Sequence, residues 1–246
     1  MIPIGTDIMT ADAAIPRSLK HEIMTGIYDN GMLLTSKRDK PEGWTLVSGL
    51  WSPFYIQLRL ISSFPRVLRK AAEAMALLIE EKAPQVNRLV GIAFAGIPIA
   101  TALSLQSGLP ACHTRKLTGV RRETDVENAL SKYGQHSLLE GQLKDGDRIC
   151  LVDDLVTGMD SKLVARSQVL KEVEGRGLED VRCDDIVVLI DRQQGAKKRA
   201  RQAGLQLHSV IDFVDEGLPL LEDIMDMDEY TLLMRYLERP ERFQKS

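Results

Sequence analysis

From residue 85 onward the chain alternates short apolar, largely β-branched runs with segments of helical period, and few architectures accommodate that rhythm. The runs are Arg88–Ala95 (RLVGIAFA), Arg148–Leu155 (RICLVDDL), Asp184–Asp191 (DDIVVLID) and Leu205–Phe213. Between them the spacing predicts helices over Ile99–Gln106, ended by Gly108, over Ser161–Glu174, and over Ala196–Ala203 before Gly204. A strand that is apolar on both sides must be covered on both faces. The pattern therefore predicts an α/β fold, a central and mostly parallel sheet flanked by helices. In such sheets ligands sit beyond the carboxyl ends of the strands, so the loops that follow them are where chemistry is expected.

Upstream the alternation is absent. Pro16–Asn30 reads as an amphipathic helix, with Leu19, Ile23, Met24 and Ile27 on one side and Gly31 at its end. Trp44–Leu60, rich in aromatics and punctuated by Gly, Ser and Pro, is expected to be strand-like or irregular. Pro65 opens a strong helix carrying Val67, Leu68, Ala71, Met75, Leu78 and Ile79, which Pro84 stops. Leu220–Leu237 is expected to close the fold as one helix, and the charged tail after Pro240 to fray. No repeat or linker divides the 246 residues, so one domain over 1–246 is expected.

Charge and cysteine usage narrow the class. A net charge of −3 gives no support for a nucleic-acid surface driven by bulk electrostatics. Cys112, Cys150 and Cys183 are too few and too far apart for a disulfide framework or a structural zinc site. No stretch has signal-peptide character or a membrane-spanning length, and the expected location is cytoplasmic.

The most informative segment is Ile149-Cys-Leu-Val-Asp-Asp-Leu-Val-Thr-Gly-Met-Asp-Ser-Lys162. Two carboxylates at a strand end, Asp153 and Asp154, can point to opposite sides and accept hydrogen bonds from separate hydroxyls of one sugar. A small-residue loop entering a helix offers free backbone N–H groups to a phosphate. Together they describe a ribose-5-phosphate cradle. The plainer alternative makes the acids a turn and Ser161 a helix N-cap.

Five segments together resemble the orotate phosphoribosyltransferases, members of the type I phosphoribosyltransferase family. Asp153–Ser161 resembles the phosphoribosyl pyrophosphate signature of that family, with Thr157-Gly158-Met159 where Thr-Thr-Gly is usual. The others are Ser48-Gly-Leu-Trp-Ser-Pro-Phe-Tyr55, Gly91-Ile-Ala-Phe-Ala-Gly96, Asp191-Arg-Gln-Gln-Gly195, and Thr114-Arg-Lys leading through Lys132-Tyr-Gly to Glu140-Gly141. Two positions depart from the pattern, since Val47 and Ser131 stand where the family has lysines.

The resemblance implies a type I phosphoribosyltransferase fold, with a small N-terminal hood and base-pocket segment over 15–65, an α/β core over 66–215, and a C-terminal helix and tail over 216–246. It implies that Asp153 and Asp154 hold the ribose hydroxyls while Thr157, Gly158, Met159, Asp160 and Ser161 wrap the 5-phosphate. Gly96 would let backbone approach the pyrophosphate. Phe54 and Tyr55 would flank the pyrimidine by stacking, and Arg192 would pair with the orotate carboxylate. Arg115, Lys116 and Lys132 would supply positive charge to the departing pyrophosphate, with Asp153 also in the catalytic set. Mg²⁺ would be bound through substrate oxygens, with no direct protein ligand. A homodimer is implied, in which loop 115–134 of one subunit covers the site of the other. The implied reaction joins orotate to the ribose of phosphoribosyl pyrophosphate. A sister enzyme for another base, or a non-catalytic phosphoribosyl-pyrophosphate-binding regulator, stays open at this point.

Overall fold

A computed structural model of the chain describes residues 15–46, 49–117, 119, 120, 125 and 137–244. The N-terminal part consists of α1 (Arg17–Asp29) and four short strands, β1 (Leu33–Thr35), β2 (Trp44–Thr45), β3 (Trp51–Ser52) and β4 (Phe54–Ile56). β1 pairs antiparallel with β4 and β2 with β3, forming two small ribbons that make up the hood. Next come α2 (Pro65–Lys82), β5 (Arg88–Gly91), α3 (Gly96–Ser107), β6 (Ala111–Thr114) and β7 (Leu139–Glu140). The remaining elements are β8 (Arg148–Val156), α4 (Asp160–Arg176), β9 (Arg182–Asp191), α5 (Ala196–Gln202), β10 (Gln206–Asp212) and α6 (Met227–Glu238).

The central sheet runs β10–β9–β8–β5–β6–β7, and only the edge strand β7 is antiparallel to its neighbour. Alternate residues of the inner strands serve opposite layers. Cys150, Val152, Val187 and Leu189 pack with the hood, α1, α2 and α6. Ile149, Leu151, Ile186 and Val188 pack with α4 and α5. That two-sided burial is why these strands are continuously apolar. The chain moves outward from β5 to β6, then returns past β5 to lay down β8, β9 and β10 on the other side. Between the carboxyl ends of β5 and β8 the connections therefore diverge, opening the crevice where α/β sheets bind ligands. This is the architecture that the sequence resemblance implies.

Two sequence expectations are corrected at the C-terminus. Leu220–Leu237 is not one helix: a wide turn at Phe213–Gly217 and a 3-10 turn at Pro219–Leu221 precede α6. α6 starts where Asp226 caps it, its carboxylate accepting from the backbone N–H of Asp228 (2.9 Å) and Glu229 (3.4 Å). The tail past Pro240 does not fray over its described part. Phe243 stacks on Trp51 at 6.1 Å, and the Gln244 amide both donates to the Trp51 carbonyl (3.1 Å) and accepts from its N–H (2.8 Å). An aromatic anchor outweighs the charged residues around it. Apolar periodicity also placed strand β5 too long, because Ile92–Ala95 turns toward α3 after Gly91.

Candidate active site

Gly91 and Gly96 set the crevice. A Cβ on Gly96 would lie 2.2 Å from the Val152 carbonyl oxygen and 3.2 Å from the Asp153 Cα. A Cβ on Gly91 would lie 2.9 Å from the Gly96 carbonyl oxygen and from the Ala100 Cβ. The α3 N-terminus thus lies directly against strand β8. A side chain at Gly96 would meet β8 itself first.

β8 carries the acidic pair past the end of β5, where Gly91 pairs with Val152. The Asp153 and Asp154 carboxyls stay within hydrogen-bonding reach of each other, and Lys162 of α4 reaches Asp153. Its Nζ donates to Asp153 Oδ2 (2.8 Å) and to the Leu155 carbonyl (2.6 Å), with both side chains buried. The backbone N–H of Asp154 donates to Asp153 Oδ1 (3.0 Å). Asp154 accepts from the Leu155 N–H (2.7 Å) and makes no ion pair among the described residues. Burial, and after it the neighbouring Asp153 charge, push the Asp154 carboxyl up to about 7.

The following loop has Thr157 and Gly158 half-buried and Asp160 and Ser161 exposed. Met159 belongs to the stretch expected to wrap a phosphate. Its side chain is fully buried among Val156, Ala165 and Val188, so only its backbone can face a ligand. Ser161 makes no cap; Met159 occupies the N-cap position of α4, without a side-chain hydrogen bond. Arg199 of α5 pairs with Asp160 (2.8 Å), and its Nη1 would stand 3.3 Å from a Cβ on Gly158.

Arg192 follows β9, its backbone N–H donating to the Val156 carbonyl (3.0 Å). Its guanidinium lies over the Phe54 ring, 5.1 Å from the centroid, and Nε and Nη2 are buried with no protein partner. Burial pushes its pKa down, yet a guanidinium stays charged in proteins. Phe54 is 1% exposed and packs on Phe213 (5.3 Å) and Tyr236 (5.9 Å). This corrects the expectation that Phe54 stacks on a base: β4 alternates buried, exposed, buried, so Phe54 turns inward beneath Arg192. Tyr55 is 40% exposed and stacks beside Trp44 at 6.3 Å.

Arg115 and Lys116 stand just past β6, at the same edge of the sheet. Arg115 pairs loosely with Glu140 (3.4 Å), and Lys116 is exposed. Lys132, Ser131, Val47, Ser48, Tyr133 and Gly134 lie outside the described residues, as does most of loop 115–134. The carboxyl edge of the sheet therefore gathers Gly96, Arg115, Lys116, Asp153, Asp154, the 157–161 loop and Arg192. Two residues that sequence reasoning missed support them. Lys162 gave no signal because it falls on a helix start, where a lysine reads as solvated. Gln193 has φ +59° and accepts from the N–H groups of Val214 (2.7 Å) and Asp215 (3.0 Å), bracing the loop that carries Arg192.

No family model matches the chain. Over 180 residues it is 31% identical to the orotate phosphoribosyltransferase of Pyrococcus furiosus, covering 73% of this chain and 88% of that protein. Over 193 residues it is 29% identical to the uridine 5'-monophosphate synthase of Bos taurus, covering 78% of this chain and 35% of that one. The chain thus spans about a third of the bovine protein and most of the Pyrococcus furiosus one. The orotate phosphoribosyltransferase of Aeropyrum pernix superposes with a TM-score of 0.60 at 22% identity, over 82% of this chain and 97% of that one.

Proposed function

The chain belongs to the orotate phosphoribosyltransferase family, and on that premise we propose that it transfers ribose 5-phosphate from phosphoribosyl pyrophosphate to orotate. The products are orotidine 5'-monophosphate and pyrophosphate, a pentosyl transfer in pyrimidine nucleotide biosynthesis. The observation that carries the choice of orotate is Arg192. A buried guanidinium without a partner costs several kcal/mol unless an anion completes it. Orotate differs from uracil by a ring carboxylate, which suits a planar fork. Neutral bases would leave Arg192 unpaired.

In the proposed reaction the bond from the ribose anomeric carbon to the pyrophosphate oxygen breaks, and its electron pair leaves with pyrophosphate. N1 of orotate supplies the pair for the new carbon–nitrogen bond and gives up its proton, which the released pyrophosphate can take. The carbon is oxocarbenium-like in between, so catalysis rests on positioning and on charge. Holding two reactants aligned can contribute roughly 7–11 kcal/mol. The acidic pair near the end of β8 holds the ribose, the Thr157–Ser161 backbone takes the 5-phosphate, and Arg115 and Lys116 face the leaving group. Asp153 and Asp154 offer oxygen atoms, which suit a hard cation. Mg²⁺ would enter on the diphosphate and ribose oxygens that these carboxylates orient, and would neutralise the leaving group's charge. Lys132 and the rest of loop 115–134 would close over the site of a second copy in a homodimer. No helix of the described residues is long and apolar enough to cross a membrane. The three cysteines are free and buried, in keeping with a reducing cytosol, and the hood and sheet are read as one domain sharing a core.

The test mixes purified protein with phosphoribosyl pyrophosphate, Mg²⁺ and either orotate, uracil, hypoxanthine or adenine. Loss of orotate absorbance and release of pyrophosphate are followed together. Turnover with orotate and not with uracil supports the assignment. Turnover with a purine base moves the protein to a sister activity, and binding of phosphoribosyl pyrophosphate without turnover of any base makes it a regulator.

A further inference from the structure

We propose that Lys162 is a positioning residue of the ribose site: it claims Asp153 and thereby makes Asp154 the carboxylate presented to the sugar. The inference rests on the phosphoribosyl-transfer reading and deepens it, because two adjacent acids need not do the same work.

Lys162 is the third residue of α4, a place where a cation opposes the positive end of the helix dipole and where burial adds a second cost. Its side chain is nonetheless 4% exposed, extended under the strand end to the Asp153 carboxylate and the Leu155 carbonyl. Stability alone does not account for this. A well-packed apolar residue in place of a buried ion pair is often neutral or better. What the ion pair adds is direction. Both oxygens of Asp153 have protein donors, Oδ2 from the ammonium and Oδ1 from the Asp154 N–H, whereas Asp154 has the Leu155 N–H, the neighbouring Asp153 carboxyl, and no cation at bonding distance among the described residues. The ammonium also offsets one of the two negative charges that Asp153 and Asp154 bring to this edge of β8. An anionic sugar diphosphate docking there meets less repulsion. Asp153 then works as the fixed counter-charge and Asp154 as the sugar acceptor.

The experiment compares wild type, Lys162→Met, Lys162→Arg, Asp153→Asn, Asp154→Asn and the Lys162→Met/Asp153→Asn double variant. It measures calorimetric binding of phosphoribosyl pyrophosphate with Mg²⁺, and the KM values for both substrates. Removing one partner of a buried pair leaves the other charge uncompensated. Lys162→Met should therefore weaken phosphoribosyl pyrophosphate binding about 30-fold while the KM for orotate stays nearly fixed. Lys162→Arg should recover most of that loss, and the double variant should bind close to Asp153→Asn alone. Asp154→Asn should lose binding by at least about ten times more than Asp153→Asn. If Lys162→Met binds like wild type, or if the two asparagine variants lose affinity equally, the inference fails while the transfer reading stands. If Lys162→Met does not fold, the double variant and the two asparagine variants still decide it. Wild-type protein that neither binds phosphoribosyl pyrophosphate nor consumes orotate overturns the transfer reading and this inference with it.

Discussion

Asp154 holds its proton to about 7, against an ordinary value of 3.8, because burial and the adjacent Asp153 charge both disfavour its ionised form. The sign of the consequence follows from linkage. Between pH about 4 and about 7 the folded state binds more protons here than the unfolded chain, so stability falls as pH rises through that window. Thermal melts at pH 4, 6 and 8 should show wild type losing stability toward pH 8 relative to Asp154→Asn, and the two converging at pH 4. Parallel curves would mean that Asp154 carries no such burden. For catalysis the same proton works the other way. A sugar acceptor must be ionised, so kcat/KM for phosphoribosyl pyrophosphate should fall below pH about 7 with unit slope. Arg192 gives the second prediction at this scale. Arg192→Met removes a cation matched to a carboxylate, a loss of about 2–5 kcal/mol, so the KM for orotate should rise by at least 30-fold. Phosphoribosyl pyrophosphate affinity should move little. Equal losses for both substrates would place Arg192 in the general framework of the site instead.

At the scale of elements, the β8–α4 unit depends on the packing of α3 against it. Gly96→Ala would put a methyl within 2.2 Å of the Val152 carbonyl, backbone against backbone, with no flexible side chain to give way. The expected outcome is a drop in melting temperature together with loss of phosphoribosyl pyrophosphate binding, because Asp153 moves with the strand. By contrast Asp226→Ala removes only the N-cap of α6, a cost of about 1 kcal/mol, and should leave binding at β8 intact. These two elements also mark how far the sequence was legible. Alternating apolar runs located β8, β9 and β10 to within a few residues, because a two-sided strand leaves a period that needs no tertiary information. The acidic pair and Arg192 became candidates from the sequence because they stand near where such strands end. The split of Leu220–Leu237 was not, since Leu220, Leu221 and Met225 are apolar for reasons of burial that turns and helices share. Nor was the inward turn of Phe54, which depends on which side of a three-residue ribbon meets Phe213 and Tyr236. Lys162 was invisible for the same reason: its partner Asp153 is near in sequence, but only the path of the strand into the helix aims one at the other.

At the scale of the molecule, the hood is tied to the C-terminal segment by groups far apart in sequence. Buried Glu229 accepts from the Tyr28 hydroxyl (2.7 Å) and from the Thr35 hydroxyl, and the Tyr236 hydroxyl donates to the Trp51 carbonyl (3.1 Å). Phe243 then lies on Trp51 and against Tyr236, with ring centroids 6.1 and 5.6 Å apart. Through Trp51, the tail fixes the ribbon that continues into Phe54, on whose ring Arg192 rests. The phosphate loop takes no part in this chain of contacts, because α4 and α5 cover the opposite layer. Phe243→Ala should therefore cost about 1–2 kcal/mol through lost aromatic contacts and burial, a fall of roughly 2–8 °C in melting temperature for a chain of this size. Its effect on substrates should be lopsided. The KM for orotate should rise, since Arg192 loses a firm seat, and the calorimetric affinity for phosphoribosyl pyrophosphate should stay within about twofold, because a distant change with no shared partner does not couple strongly. Both affinities falling together would mean that the hood and the phosphate loop move as one body. Neither falling would show that Phe54 seats Arg192 without help from the tail.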